Sequence, residues 1–182
     1  LVNSTTTPRQ AYLVTANHCI NTQAAASTLY TVWFMEATAC GSGERRPEYF
    51  VLRDGATLLH NSTYNDHAFL RLNGRLPSGV FFAGWSPGGI GTGSTAIGMH
   101  HPNADLKKYS EGAKERDNSN LNGISGIYHQ MRWNVGAVEG GSSGSGLFSF
   151  NAQAGTYQLV GQLYGTVGAG EPSCSSPAIY GR

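Results

Sequence analysis

The ten residues EGGSSGSGLF at positions 139–148 carry the most specific local signal in this 182-residue chain. Their four glycines allow the backbone to adopt positive φ, so that successive amide N–H groups turn toward one point. Amides arranged in this way stabilise an oxyanion that forms next to a serine hydroxyl. A flexible Gly/Ser linker is the alternative, but a linker does not require the apolar strand predicted directly after it. The stretch therefore predicts a serine in an anion-binding turn.

Two further motifs place an imidazole and a carboxylate at the ends of short apolar strands. LVTANHC at 13–19 contains His18, a side chain type that exchanges protons near neutral pH. In NDHAFLRL at 65–72, Asp66 precedes the strand and is able to hold an imidazole in one tautomer. Each residue has a structural alternative, His18 as a strand-end residue bonded to a carbonyl and Asp66 as a turn residue. His67 is a rival base, but extended neighbours point to opposite faces of a strand.

Short clusters of β-branched and aromatic residues, bounded by Gly, Pro, Asn and Ser, predict an all-β chain without choosing between a barrel and a sandwich. Apolar residues make up 40% of the chain and charged residues 13%, which excludes a coiled coil and a disordered chain. A helical turn is expected at 21–26, a connection between halves at 73–93 and a solvated loop at 103–122. The predicted strands are 11–16, 29–35, 49–52, 68–72, 94–99, 126–133, 146–150 and 157–164.

Charge and residue spacing exclude several classes of partner. The net charge of +1 gives no field to attract nucleic acid or an anionic bilayer, and no apolar run approaches the ~20 residues that cross a membrane. His100 and His101 point to opposite faces if extended, and no metal-ligand spacing accompanies them. Cys19, Cys40 and Cys174 form no Cys-x-x-Cys pair. We therefore expect no metal or other cofactor, no nucleic-acid partner and no membrane partner. A monomer is also expected.

Taken in order, the three motifs resemble those of the chymotrypsin-fold serine proteases. TANHC at 15–19 is similar to that family's Thr-Ala-Ala-His-Cys, and DHAFLRL at 66–72 is similar to its Asp-Ile-Ala-Leu-Leu-Lys-Leu. The resemblance covers the whole chain and is patchy only at 103–122. Further stretches look like the bacterial lysyl endopeptidase branch, namely GSSGS at 141–145, HHP at 100–102, GQL at 161–163, SCS at 173–175 and YGR at 180–182.

The resemblance implies a serine endopeptidase in which His18 is the general base, Asp66 its orienting carboxylate and Ser143 the nucleophile. The backbone amides of Gly141 and Ser143 would form the oxyanion hole. Ser142 is the alternative nucleophile, and alignment of the Gly-x-Ser-Gly core favours Ser143. In many animal relatives an aspartate at the position of Ser142 pairs with a freed N-terminal amine, so we do not expect that activation switch here.

The same resemblance assigns the substrate-binding residues. Leu163, Tyr164 and Gly165 look like the strand that pairs antiparallel with the substrate backbone. Ala178 stands where the lysine-cutting branch carries an aspartate in its first pocket, and Tyr164 stands where that branch carries a histidine. A polypeptide substrate is therefore expected, but a requirement for lysine is not carried over.

For the fold, the resemblance implies two antiparallel β-barrels, truncated at both ends, with residues 1–82 in the first and 83–182 in the second. The cleft is then expected between the barrels. In relatives, the cysteines that match those of this chain pair with partners upstream of its first residue. The last strand is expected to lie beyond Arg182, which would leave a sheet edge unpaired. The resemblance also implies a secreted, extracellular, bacterial protein.

Two other functions stay open on sequence grounds. One is a catalytically inactive relative that binds peptides through the same cleft. The other is a β-sandwich adhesion module in which the Gly/Ser stretch is only a linker. Covalent labelling of a serine by a fluorophosphonate would separate both from an active enzyme.

Overall fold

The computed structural model describes residues 1–121, 123–166 and 177–181, which form twelve strands, one α-helix and one 3-10 turn. The all-β prediction is confirmed, and the helix falls at the predicted 21–26 turn. In chain order the elements are β1 (Tyr12–Ala16), α1 (Gln23–Ser27), β2 (Thr31–Trp33), β3 (Phe50–Leu52), β4 (Ala56–Ser62), β5 (His67–Leu72), β6 (Gly84–Trp85), β7 (Thr95–His100), the 3-10 turn (Pro102–Ala104), β8 (Lys108–Leu121), β9 (Ile124–Val135), β10 (Gly146–Asn151), β11 (Thr156–Thr166) and β12 (Pro177–Gly181).

The N-terminal strands form a three-stranded antiparallel sheet in the order β1-β5-β4, with β2 and β3 paired beside it. Strand β5 alternates as its sequence predicts, because Ala68, Leu70 and Leu72 are buried while the residues between them are not. In the β1–β5 register Ala16 lies opposite His67, so the end of β1 meets the beginning of β5. The core packed on this sheet consists of Ala26, Leu52, Ala56, Leu70 and Leu72.

The strands from β7 onward form a closed antiparallel ring in the order β10-β7-β8-β9-β12-β11, which the β10–β11 pairing completes. Strand β6 adds in parallel to β11. The expected unpaired edge is therefore wrong for the described part of the chain, because β12 lies between β9 and β11. Inside the ring lies a core of Ala96, Met131, Trp133, Val138, Leu147, Val160 and Leu163.

The prediction of a solvated loop at 103–122 is wrong, because most of this segment is strand β8. Its inward-facing residues include Ser110, Gly112 and Lys114, which are buried but are small or polar, so the strand has no apolar period. Other polar side chains bond between β8 and β9, as when Gln130 Nε2 donates to the Glu115 carboxylate at 2.7 Å. Strand β4 was also not predicted, because its last residues are polar and exposed.

The cysteines that the structure describes, Cys19 and Cys40, are free thiols on the surface. Cys174 lies outside the described residues, and pairing with segments beyond this chain stays a prediction. The division at residue 82/83 also stays a prediction. Within the described ranges, the single helix is far too short and too polar to cross a bilayer.

Candidate active site

Asp66 lies in the turn that leads into β5, at a backbone φ of 51°. Residues other than glycine rarely adopt this left-handed backbone conformation, and it is maintained only where the surrounding structure holds it. The Asn17 amide donates to the Asp66 carbonyl at 2.8 Å, which continues the β1–β5 pairing by one residue. The pairing of the two strand ends therefore places His18 next to Asp66.

The Asp66 carboxylate holds His18 through both of its oxygens. Its Oδ2 lies 2.7 Å from His18 Nδ1, and its Oδ1 accepts the His18 backbone amide at 2.9 Å. Because an ionised carboxylate only accepts hydrogen bonds, this contact favours the tautomer in which Nδ1 carries the proton. Asp66 is 3% exposed, whereas the His18 side chain is 43% exposed. The imidazole is thus anchored on its inner side and open on the other.

Gln162 on β11 fixes the backbone at Asp66 from the opposite sheet. Its Nε2 donates to the Asp66 carbonyl at 2.7 Å and to the Asn65 carbonyl at 3.1 Å, and the side chain is 3% exposed. Sequence reasoning assigned no role to this residue, although Gly161-Gln162-Leu163 was one of the stretches that carried the resemblance. The two carbonyls lie almost a hundred residues away along the chain, and no local pattern reports such a contact.

The Gly/Ser stretch forms a compact turn that is attached to both sheets. Gly144 donates its amide to the Leu163 carbonyl at 2.8 Å, and the Leu163 amide donates to the Ser145 carbonyl at 2.8 Å. Gly144 also packs on β1 so closely that a Cβ there would lie 2.2 Å from Thr15 Oγ1. Ser143 is half-buried and directly precedes Gly144. On the other side of this contact, His18 follows Thr15 by three residues. The structure therefore joins His18 to Asp66 and packs the Gly/Ser turn, through Gly144, on the strand that leads to His18.

The neighbouring Ser142 has a different environment. It is 1% exposed, and its Oγ lies 2.9 Å from Nδ1 of His100, which is itself buried on β7. Gly141 has φ of 86° and packs against the backbone of Asn103. The positive φ that the sequence predicted for this turn is present at Gly141 and Gly144.

The predicted substrate strand lies beside this turn on β11. Tyr164 packs its ring edge-on against His18, with centroids 5.8 Å apart and planes at 80°. The β11–β12 register is irregular between Leu163 and Gly165, and a Cβ added at Gly165 would meet nothing within 4 Å. Ala178 lies on β12, where it is paired with Thr166 of β11 and with Met131 of β9.

The rival base His67 does not compete for the carboxylate. Its ring lies against that of His60, with centroids 5.1 Å apart. Burial, and next the positive charge of His60, lower the pKa of His67, while Asp66 opposes them. For metals, the described ranges hold no group of three or more His, Cys, Asp or Glu side chains arranged to bind an ion.

A family model described as lysyl endopeptidase, C-terminal domain, matches residues 1–181 of this chain. The chain belongs to this family. A lysyl endopeptidase of Pseudomonas aeruginosa is 38% identical to it over 179 residues. That alignment covers 97% of this chain and 37% of the relative, so the chain spans little more than a third of the length of the protein it matches.

Solved structures share the fold of this chain at low sequence identity. The HtrA-type protease AlgW with a decapeptide has a TM-score of 0.61 at 19% identity, over 100% of this chain and 46% of that one. The MamO protease domain from Magnetospirillum magneticum has a TM-score of 0.54 at 16% identity, over 98% of this chain and 79% of that one. The predicted chymotrypsin-like protease fold is confirmed, and the β-sandwich alternative is not favoured.

Proposed function

We propose that this domain is a serine endopeptidase in which His18, Asp66 and Ser143 form the catalytic triad. The observation that carries the proposal is the two-point contact of the Asp66 carboxylate with His18, which leaves Nε2 available to act as the proposed base. Membership of the lysyl endopeptidase family supports the same activity. Exposure favours Ser143 over Ser142, because Ser142 is buried and bonded to His100.

The geometry supports acyl transfer to water in two steps. A serine hydroxyl is a poor nucleophile at neutral pH, so His18 Nε2 takes the Ser143 proton as Oγ bonds to the substrate carbonyl carbon. The amides of Gly141 and Ser143 donate to the resulting oxyanion, and His18 then returns the proton to the leaving amine as the peptide C–N bond breaks. Water hydrolyses the acyl-enzyme with the same base.

The proposed substrate is a polypeptide that adds as a strand along Leu163, Tyr164 and Gly165. Open space at Gly165 and the irregular register beside it support the approach of another backbone. We do not propose a requirement for lysine, because Ala178 stands in place of the pocket aspartate of the lysine-cutting branch. The proposed reaction uses no cofactor, and the proposed location is extracellular.

A fluorophosphonate probe tests the proposed function directly. We expect the folded wild-type chain to be labelled at Ser143, as read by mass spectrometry of the modified peptide. Denatured protein and Ser143→Ala are the controls and are not expected to react. A folded chain that is never labelled and cleaves no member of a peptide library would overturn the proposal in favour of a peptide-binding relative.

Gly144→Ala is expected to separate the Gly/Ser turn from β1. The new Cβ would lie 2.2 Å from Thr15 Oγ1 and 2.8 Å from the Ala16 amide nitrogen, at a φ of 80° that alanine rarely adopts. Displacing a catalytic group by about 1 Å costs about 100-fold in rate, which is the loss we expect in the labelling rate. Gly93→Ala is the matched control, because Gly93 has φ of 83° with nothing within 4 Å. Equal labelling rates in the two variants would contradict the prediction.

A further inference from the structure

A chain of three buried polar side chains lies behind the Gly/Ser turn. His100 contacts Ser142 Oγ through Nδ1 at 2.9 Å and Ser110 Oγ through Nε2 at 3.0 Å. Ser110 Oγ in turn donates to the Ala137 carbonyl at 3.1 Å. The three side chains are 0 to 2% exposed. They connect β7 and β8, inside the barrel, to the residue next to Ser143.

The direction of these hydrogen bonds follows from their last acceptor. The Ala137 carbonyl only accepts, so the Ser110 hydroxyl proton is used there and Ser110 Oγ must accept from His100 Nε2–H. Nδ1 of the neutral imidazole is then the acceptor for the Ser142 hydroxyl. Burial, followed by the charges of His101 and Lys108, lowers the pKa of His100 to about 4, so the ring is neutral at ordinary assay pH.

The segment that follows β7 makes a second contact with the Gly/Ser turn. The Asn103 amide donates to the Gly140 carbonyl at 2.8 Å, and Gly141 is so close to Asn103 that a Cβ would lie 2.7 Å from its nitrogen. Asn103 and Ala104 both have positive φ, at 49° and 58°. Backbone held in this region by non-glycine residues is strained and is retained where the surroundings fix it. Two adjacent attachments thus determine where the Gly140 carbonyl and the Ser142 side chain lie.

We propose that His100 is a positioning residue that holds the Gly141–Ser143 amides in place through its hydrogen bond with Ser142. This inference rests on the proposed function, because those amides are the proposed oxyanion hole. Ser142 occupies the position at which many animal relatives carry an aspartate that pairs with an N-terminal amine. Here a neutral hydrogen-bonded chain of side chains inside one barrel contacts the turn.

Two conservative variants test the hydrogen bonds of the two His100 ring nitrogens separately. Asparagine places its Oδ1 the same number of bonds from Cα as Nδ1, so His100→Asn keeps an acceptor for Ser142. Glutamine places its Nε2 where histidine has Nε2, so His100→Gln keeps the donor to Ser110 and loses the bond to Ser142. We expect kcat to fall about 100-fold in His100→Ala and in His100→Gln, with KM unchanged, since the turn is displaced. We expect His100→Asn to stay within about tenfold of wild type, which is the value of one hydrogen bond.

His101→Ala is the control for loss of a neighbouring imidazole, because that ring bonds only the Asp105 carbonyl among the contacts described. Amide hydrogen exchange of the peptide spanning 139–147 gives a readout that needs no activity. We expect faster exchange there in His100→Ala and His100→Gln, and wild-type exchange in His101→Ala.

Each outcome decides the inference. Equal kcat in His100→Asn and His100→Gln would overturn it, because the Ser142 acceptor would then have no effect. Unchanged exchange at 139–147 in His100→Ala would also overturn it. If the wild type hydrolyses nothing, the proposed function fails, and the exchange measurement alone decides whether His100 positions the turn.

Discussion

Ser143→Ala is expected to lower the kcat for peptide hydrolysis by on the order of 10⁶-fold, as removal of a triad serine does in unrelated serine proteases. The alanine leaves no hydroxyl for the base at His18 to activate. Ser142→Ala is expected to remain active with a kcat about 100-fold below wild type, because it loses the hydrogen bond with His100 that we propose positions the turn. The measurement is steady-state cleavage of a library-derived peptide.

Circular dichroism and the thermal midpoint serve as controls for both serine variants. Ser143 is half-buried and lies in a turn, so its hydroxyl is expected to contribute little to stability. If Ser142→Ala loses all activity while Ser143→Ala retains it, the assignment of the nucleophile is reversed. If both keep wild-type rates, neither serine is the nucleophile.

Asp66→Asn is expected to reduce kcat by about 10⁴-fold with the fold retained. The carboxylate accepts hydrogen bonds from both His18 Nδ1 and the His18 amide. An asparagine that keeps its oxygen on the backbone amide turns its NH₂ toward Nδ1, which favours the tautomer with the proton on Nε2 and removes the base. The pH dependence of cleavage by the variant and the wild type measures this effect.

Asp54→Asn provides the matched control, because Asp54 is an exposed carboxylate between β3 and β4, outside the candidate site. We expect it to cleave at the wild-type rate. An Asp66→Asn variant that also cleaved at that rate would show that the carboxylate does not determine the tautomer of His18.

Local sequence was sufficient for the elements in which burial follows a simple period. β5 alternates apolar and polar residues, and the short strand before His18 is bounded by small residues, so both were predictable. The same holds for the Gly/Ser turn, because Gly141 and Gly144 do adopt the positive φ that glycine permits. The contact between His18 and Asp66 followed from the resemblance and not from any local pattern.

Sequence failed where the interior of the barrel is polar or where a contact joins distant segments. β8 turns Ser110, Gly112 and Lys114 inward, and such residues give no apolar period. Gln162 contacts the Asp66 carbonyl and His100 contacts Ser142 from strands far along the chain, and these contacts depend on pairings that form only in the folded sheet. Folding creates those neighbours, so no window of sequence contains them.

The attachments made by Gln162 and Gly144 have a consequence for the chain during its biosynthesis. A serine hydrolase that became reactive before folding was complete would endanger its own nascent copies. In the proposed triad the base and the hydroxyl come from separate sheets, and the contacts of Gln162 and Gly144 form only after those sheets have joined. A half-folded polypeptide would then lack the proposed active site.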